Sequence, residues 1–316
     1  MRSWVRWRCG SIALASTGAD VTDPSFKAKL YTSFAIVYIA WGSTFLAIRL
    51  GVQDLPPLLF AAGRSFLAGL LLLALALYRR DAFPATRREW FMVSLFGLVM
   101  IALSNGASTY ALKHLPSNEV ALLNSSLALW LAGFGTLGPK GQSLHARSVL
   151  GLLLGFAGVT LLVVRGGIEF DAHFGWQMLT VAGCMVWAAA TIVFRNMTLT
   201  TGPMAFNALL MWFGGCGLLF GGVAAGDLPR WHWDPRGLWA MLYLAVVGSA
   251  LTYTAYGWLL KNVRTDRVAT FAYVNPAIAT LLGWVVLGET LSPQQMLGML
   301  VILAGVALVT LPRRSA

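Results

Sequence analysis

Ten apolar runs, each close to the length a helix needs to cross a bilayer, follow one another through most of the chain with only short polar breaks between them. A spanning helix takes roughly 20 residues, and hydrocarbon offers no water to satisfy backbone N–H and C=O groups, so runs of this kind fold as helices. They lie at 31–50, 57–78, 90–112, 117–136, 148–165, 175–196, 203–225, 237–260, 267–287 and 295–312. Pro56 and Pro57 open the second run and Pro203 the seventh, at positions where a missing N–H costs little. Only 11% of residues are charged, against about 25% in ordinary soluble proteins. The expected fold class is an all-α polytopic membrane protein, with no stretch of these 316 residues left over for a soluble catalytic domain.

A formal net charge of +11 could suggest a nucleic-acid partner, but its distribution argues for a lipid bilayer instead. With the N-terminus inside, 17 Lys and Arg fall on cytoplasmic connections and five (Arg49, Lys113, Arg165, Arg230, Arg236) on the other side, leaving Arg64 alone within a span. That bias is the positive-inside pattern and, with an even number of spans, puts both termini in the cytoplasm. Residues 1–28, basic and aromatic at the start, read as a poorly ordered or interfacial cytoplasmic arm, with a signal peptide as the alternative. Residues 313–316 form a short cytoplasmic tail.

The chain repeats itself. GQSLHARSVLGLLLGFAGVTLLV (141–163) aligns with GETLSPQQMLGMLVILAGVALVT (288–310) at an offset of 147, and Lys113 and Val120-Ala121 recur at an offset of 148 as Lys261 and Val268-Ala269. Two units follow, residues 29–166 with spans 1–5 and 167–312 with spans 6–10. Five is odd, so the second unit must cross in the opposite sense: ten transmembrane helices built as two inverted five-helix repeats. Such repeats underlie alternating-access carriers, whose site lies near the midplane between the halves.

Polar side chains inside the spans are the candidates for that site. Pro276 removes a backbone hydrogen bond from span 9 and is expected to kink it beside Asn275 and Tyr273. Arg64 stands about 10 Å into span 2 at 1.5 Å per residue, where a charge is expensive and marks either a snorkelling side chain or a water-filled cavity, in which it would serve as counter-charge to a solute's carboxylate. Trp41, Asn105, Trp130, Trp187, Tyr256, Tyr273 and Asn275, with Arg64, would suit an aromatic-walled chamber for a small molecule. The same spans also carry Ser43, Thr44, Ser104, Ser108, Thr109, Tyr110, Asn124, Ser125, Ser126, Thr191, Asn207, Trp212, Thr252, Tyr253 and Trp258, of which the small polar ones serve equally as glue between helices and the aromatic ones near span ends as interface anchors. Glu119, near the end of span 4, is expected to reach solvent. No Asp, Glu or His occupies the central third of a span, which favours a facilitator or exchanger over a proton symporter. Cys9, Cys184 and Cys216 are scattered without metal-ligand spacing, and no P-loop, GxSxG or HExxH is placed for use, so neither a metal, a cofactor nor an enzyme activity is expected.

The stretches YIAWGSTFLAIRLGVQDLPPLLFAAGRSFLAGLLLL (38–73) and RVATFAYVNPAIATLLGWVVLGETLSPQQMLGMLVILAGVALV (267–309), with the paired GQSL and GETL connections, resemble the EamA branch of the drug/metabolite transporter superfamily. The resemblance covers about 31–312 and matches Trp41-Gly42-Ser43-Thr44, Arg64, Asn275-Pro276 and Gly288-Glu289 to family motifs. It implies an inner-membrane carrier with a cavity lined from both halves. Two departures stand out: Gln142 replaces the acid of the Gly-Glu motif, and Ala128 occupies the place paired with Pro276, which predicts a straighter span 4 than span 9. The expected function is a secondary transporter in a bacterial cytoplasmic membrane, exporting or exchanging a small organic metabolite such as an amino acid by alternating access, as a monomer or loose dimer. The alternatives are a channel-like passive facilitator and a non-transporting scaffold or receptor.

Overall fold

The computed structural model describes residues 24–137, 146–163, 172–195, 197–263 and 271–310, all helix and connection with no strand among them. Its helices are α1 (Pro24–Asp54), α2 (Pro57–Arg79), α5 (Ala146–Val163), α6 (Ala172–Arg195), α7 (Pro203–Ala224), α9 (Phe271–Leu287) and α10 (Pro293–Thr310). Three more are composite. Helix α3 runs through Arg87–Phe96, Gly97–Asn105 and Gly106–Ala111; α4 through Ser117–Ser125 and Leu127–Phe134; α8 through Pro235–Tyr243, Leu244–Leu251 and Thr252–Asn262. Six of the rods (α1, α2, α3, α6, α7, α8) are long and apolar enough to cross a membrane, and α5, α9 and α10 contain shorter apolar helices.

The middle stretches of α3 and α8 are wound as π-helix, with backbone bonds reaching five residues back, as from Gly106 N–H to the Ile101 carbonyl. Side chains reinforce the wide turns: the Ser249 and Thr252 hydroxyls donate to the carbonyls of Leu244 (3.1 Å) and Val247 (2.6 Å), each five residues earlier. The two stretches start at Gly97 and Leu244, 147 residues apart, so they are the same feature in each half of the chain. Wide turns of this kind often accompany functional sites because they re-aim the side chains that follow.

Two expectations about helix shape are corrected. Helix α1 begins at Pro24 rather than residue 31, and its extra turns are held by Phe26 on the Trp258 ring (centroids 5.7 Å apart) and the Lys29 ammonium over the same ring. Span 4 is not the straighter member of its pair. Helix α4 breaks at Ser126, whose N–H bonds to the Leu123 carbonyl three residues back, while α9 stays helical through Pro276. The break needs no proline: in the Asn124-Ser125-Ser126 run, the Ser125 and Asn124 side chains bond back to the carbonyls of Ala121 and Val120, competing with the helical ladder.

Carboxylates tie the helix ends together. Asp81 Oδ2 accepts from the Met204 N–H at 2.8 Å and caps α7, and Glu289 accepts from the Ser117 N–H (2.7 Å), the Ser117 hydroxyl (2.7 Å) and the Asn118 N–H (3.1 Å) to cap α4. Glu289 therefore binds the GETL connection to the opposite unit; the related Gln142 lies outside the described residues. Glu119, expected in solvent, is fully buried. Its carboxylate accepts from Gln177 Nε2 (2.6 Å), meets His173 Nε2 (3.0 Å) and lies 3.4 Å from Gln295 Nε2, a cluster that joins α4, α6 and α10.

Helices equivalent under the repeat pack against each other, α2 on α7 and α5 on α10, and the remaining contacts come in matching sets: α1 on α9 with α6 on α4, and α1 on α8 with α6 on α3. Equivalent helices run antiparallel. Along α2, Leu59, Phe66 and Gly69 meet Gly222, Gly215 and Ala208 of α7 in descending order. Along α5, Gly155 and Gly158 meet Gly305 and Ile302 of α10, also descending. The α5–α10 contact is backbone on backbone: a Cβ on Gly305 would sit 2.5 Å from the Gly155 nitrogen, and one on Gly158 would sit 2.6 Å from the Ile302 nitrogen. Without a hydrophobic drive between helices in lipid, such close approach supplies the association.

Gly305→Leu should therefore force α5 and α10 apart and destabilise the detergent-purified protein by about 1–3 kcal/mol, the scale of overpacking. Gly133→Ala, where a Cβ meets nothing within 4 Å, should leave the unfolding temperature unchanged or slightly raised. Thermal unfolding of the two variants side by side checks the contrast.

Candidate functional site: a polar cavity between the two halves

Seven helices converge on a cavity of about 220 Å³. Helix α1 contributes Trp41, Thr44 and Phe45, α2 contributes Arg64, and α3 contributes Ser104, Asn105 and Ser108. From the other side come Asn124 and Leu127 of α4, Cys184 and Trp187 of α6, Met211 of α7, and Ser249 and Tyr253 of α8. The π turns explain part of this convergence, because Ser104, Asn105, Ser249 and Tyr253 all lie within or just past them.

Arg64 is the centre of the site. Its Nη2 donates to Asn105 Oδ1 at 2.7 Å, and among the described residues no carboxylate lies within ion-pair distance of it. Asn105 Oδ1 also lies 3.4 Å from the Thr109 hydroxyl, and Asn124 Nδ2 is fixed to the Val120 carbonyl at 2.8 Å. Ser104 locks the α3–α6 crossing by donating to the Gly183 carbonyl at 2.6 Å. A guanidinium carries five N–H donors, so one neutral amide acceptor leaves most of its capacity for the cavity.

A second cavity of about 260 Å³ opens between α1, α4 and α9. Its wall includes Ala121, Ser125, Ala128, Leu131, Phe271, Asn275 and Pro276. Asn275 Oδ1 is buried and has no hydrogen-bond partner among the described residues, and the Asn275 carbonyl lies close to Gly42 of α1. Trp41, Thr44, Phe45, Asn124 and Leu127 line both cavities, so the two are neighbours across one shared wall.

Of the residues singled out from sequence, Trp41, Arg64, Asn105 and Trp187 meet at the first cavity and Asn275 at the second. Trp130 and Tyr256 line neither. Trp130 packs against Phe156 of α5 at 4.7 Å, its indole N–H buried without a partner, and Tyr256 stands behind Trp41 with ring centroids 5.1 Å apart. Tyr273 lies in α9, but its side chain is outside the described residues. Cys184, Met211 and Ser249 were not singled out as site residues, yet one signal was available: Met211 stands 147 residues after Arg64, Tyr253 148 after Asn105, and Trp187 146 after Trp41. The cavity is thus walled by repeat-related pairs, with a charge, among the described residues, in the first half only.

The model of the EamA-like transporter family matches twice, at residues 29–164 and 174–311. The chain belongs to the EamA-like transporter family. An Escherichia coli K12 protein named as the uncharacterized inner membrane transporter YedA is 35% identical over 285 residues, covering 89% of this chain and 90% of its own. A Salmonella typhimurium protein named as a probable amino-acid metabolite efflux pump is 25% identical over 85% of this chain and 91% of its own. A solved crystal structure superposes with a TM-score of 0.62 at 20% identity, covering 90% of this chain and 96% of that one, which supports the fold. This EamA-family chain is a multi-pass membrane transporter of the drug/metabolite transporter superfamily.

Breaking the Arg64–Asn105 contact should be non-additive. In a double-mutant cycle of Arg64→Gln and Asn105→Ala, read by unfolding of the purified protein, the coupling should be on the order of 1–3 kcal/mol, as for hydrogen bonds to charged groups. Strictly additive losses would mean that the two side chains do not support each other.

Proposed function

We propose that this EamA-family transporter is a secondary carrier that exports or exchanges a small organic metabolite across the cytoplasmic membrane of a bacterium by alternating access. In this reading the chain forms ten spans in two inverted five-helix units with both termini in the cytoplasm. Trp41, Arg64, Asn105, Trp187 and Asn275 hold the solute.

One observation carries the reading: the polar cavity lies where repeat-related residues meet, inside a bundle whose equivalent helices pack antiparallel. If the two halves exchange conformations, the cavity that faces one side of the membrane faces the other after the exchange. The carboxylate cluster at the start of α4 joins α9, α6 and α10 at one end of the bundle and would serve as the closed gate on that side. The Salmonella relative's name as a metabolite efflux pump supports outward movement of a small metabolite.

Exchange across a sealed membrane separates a carrier from a pore. Proteoliposomes preloaded with phenylalanine or phenylpyruvate and diluted into the same labelled solute should take up label several-fold faster than empty vesicles for at least one of the two. Uptake that ignores the internal solute would identify a passive facilitator instead.

A further inference from the structure

Both cavities were considered together because they share a wall and because their chemistry differs. The first holds Arg64 and small polar groups; the second adds the apolar Leu131, Ala128, Phe271 and Pro276, with Ser125 and Asn275 beside them. Each alone falls below the roughly 300–1,000 Å³ usual for organic ligands, and joined they enter that range. Resting on the reading of this cavity as the transport site, we propose that the two are lobes of one binding site for a monocarboxylate with an apolar body. The carboxylate sits on Arg64 and the body lies between α1, α4 and α9.

The charge of the lining selects the ligand's charge. Among the described residues, Arg64 is the one charged side chain lining either lobe, and no Asp or Glu joins it there. A planar guanidinium matches a carboxylate with two parallel hydrogen bonds, and the Asn105 contact leaves donors for both. An ammonium group finds no carboxylate to replace its lost water, so a zwitterion or an amine enters with an unmatched charge. The repeat adds a second restriction. Where a symmetric site would place another arginine, the second half has Met211, so a dicarboxylate or a phosphate monoester brings a second negative charge that no lining residue meets.

Shape selects the rest of the molecule. The five residues that line both lobes, Trp41, Thr44, Phe45, Asn124 and Leu127, are aromatic on the α1 side and carry one amide on the α4 side, and in this proposal the ligand lies between them. A flat or slender apolar body attached to the carboxylate by a short chain suits that placement. Ala128 faces the second lobe at the place where a larger side chain would shorten it.

The test is a matched series on the purified, folded protein: hydrocinnamate, phenylalanine, phenethylamine and hydrocinnamamide, titrated by calorimetry. These keep one aromatic body and change only its charge. Hydrocinnamate should bind at least about ten-fold tighter than each of the other three. Arg64→Gln should erase the difference between hydrocinnamate and its amide, and Arg64→Lys should retain part of it. Ala128→Phe, distant from the charge, should weaken hydrocinnamate about five-fold or more while leaving the protein folded; this variant keeps the test alive if Arg64→Gln does not fold. Equal or tighter binding of phenylalanine or phenethylamine would overturn the proposal, as would indifference of hydrocinnamate to Ala128→Phe. Failure of all four to bind at millimolar concentration would overturn it as well. Tight hydrocinnamate binding without solute-accelerated exchange would sink the transport reading and leave the ligand class standing; exchange of phenylalanine without hydrocinnamate binding would do the reverse.

Discussion

Glycine backbone lying on glycine backbone sets the distance between the two halves. Helices α5 and α10 touch where Gly151, Gly155 and Gly158 meet Gly298, Ile302 and Gly305, close enough that a side chain at Gly158 or Gly305 would run into the facing backbone. In lipid this contact cannot draw on the hydrophobic effect, so its strength is van der Waals packing over a surface that only small residues allow. Neither helix contributes a residue to either cavity. They form a fixed pair on one side, and α2 with α7 forms its own antiparallel pair, while the helices between them carry the polar groups. An inverted repeat makes this arrangement natural, because a helix meets its own equivalent wherever the pseudo-symmetry axis passes.

Within that frame the cavity costs stability in one place. A guanidinium at this depth needs a partner, and here it has a neutral amide, Asn105, rather than an acid. An ion pair would have neutralised the site; an amide orients the guanidinium and leaves its charge available. The π turns belong to the same scheme, since they carry Asn105 and Tyr253 to facing positions from equivalent helices. The symmetry is kept in the backbone and broken in the side chains, with Arg64 opposite Met211 and Asn105 opposite Tyr253.

Much of this was readable in the chain. The apolar runs, the 147-residue repeat and the one intramembrane arginine point to the architecture and to four of the residues that gather at the first cavity. What stayed hidden has physical causes. A π turn differs from an α turn by one residue of hydrogen-bond register and has no local compositional mark. The missing proline in α4 led to the expectation of a straighter helix, whereas the Asn124 and Ser125 side chains compete with its backbone ladder just before the break. Glu119 looked like a surface acid because its partners, Gln177, His173 and Gln295, lie far along the chain. Trp130 was assigned to the cavity by residue type, but its position on α4 turns it toward Phe156 of α5.

The account depends most on a chamber at the centre of the bundle that opens to each side in turn. Thr44 lines both lobes, so Thr44→Cys in a background without the native cysteines reports on it directly. Labelling with a small, charged, membrane-impermeant thiol reagent, added to right-side-out and inside-out vesicles, should modify this cysteine from both faces, with saturating solute shifting the ratio between them. A cysteine unreactive from either face, with or without solute, would mean a dry and static centre and would contradict the account.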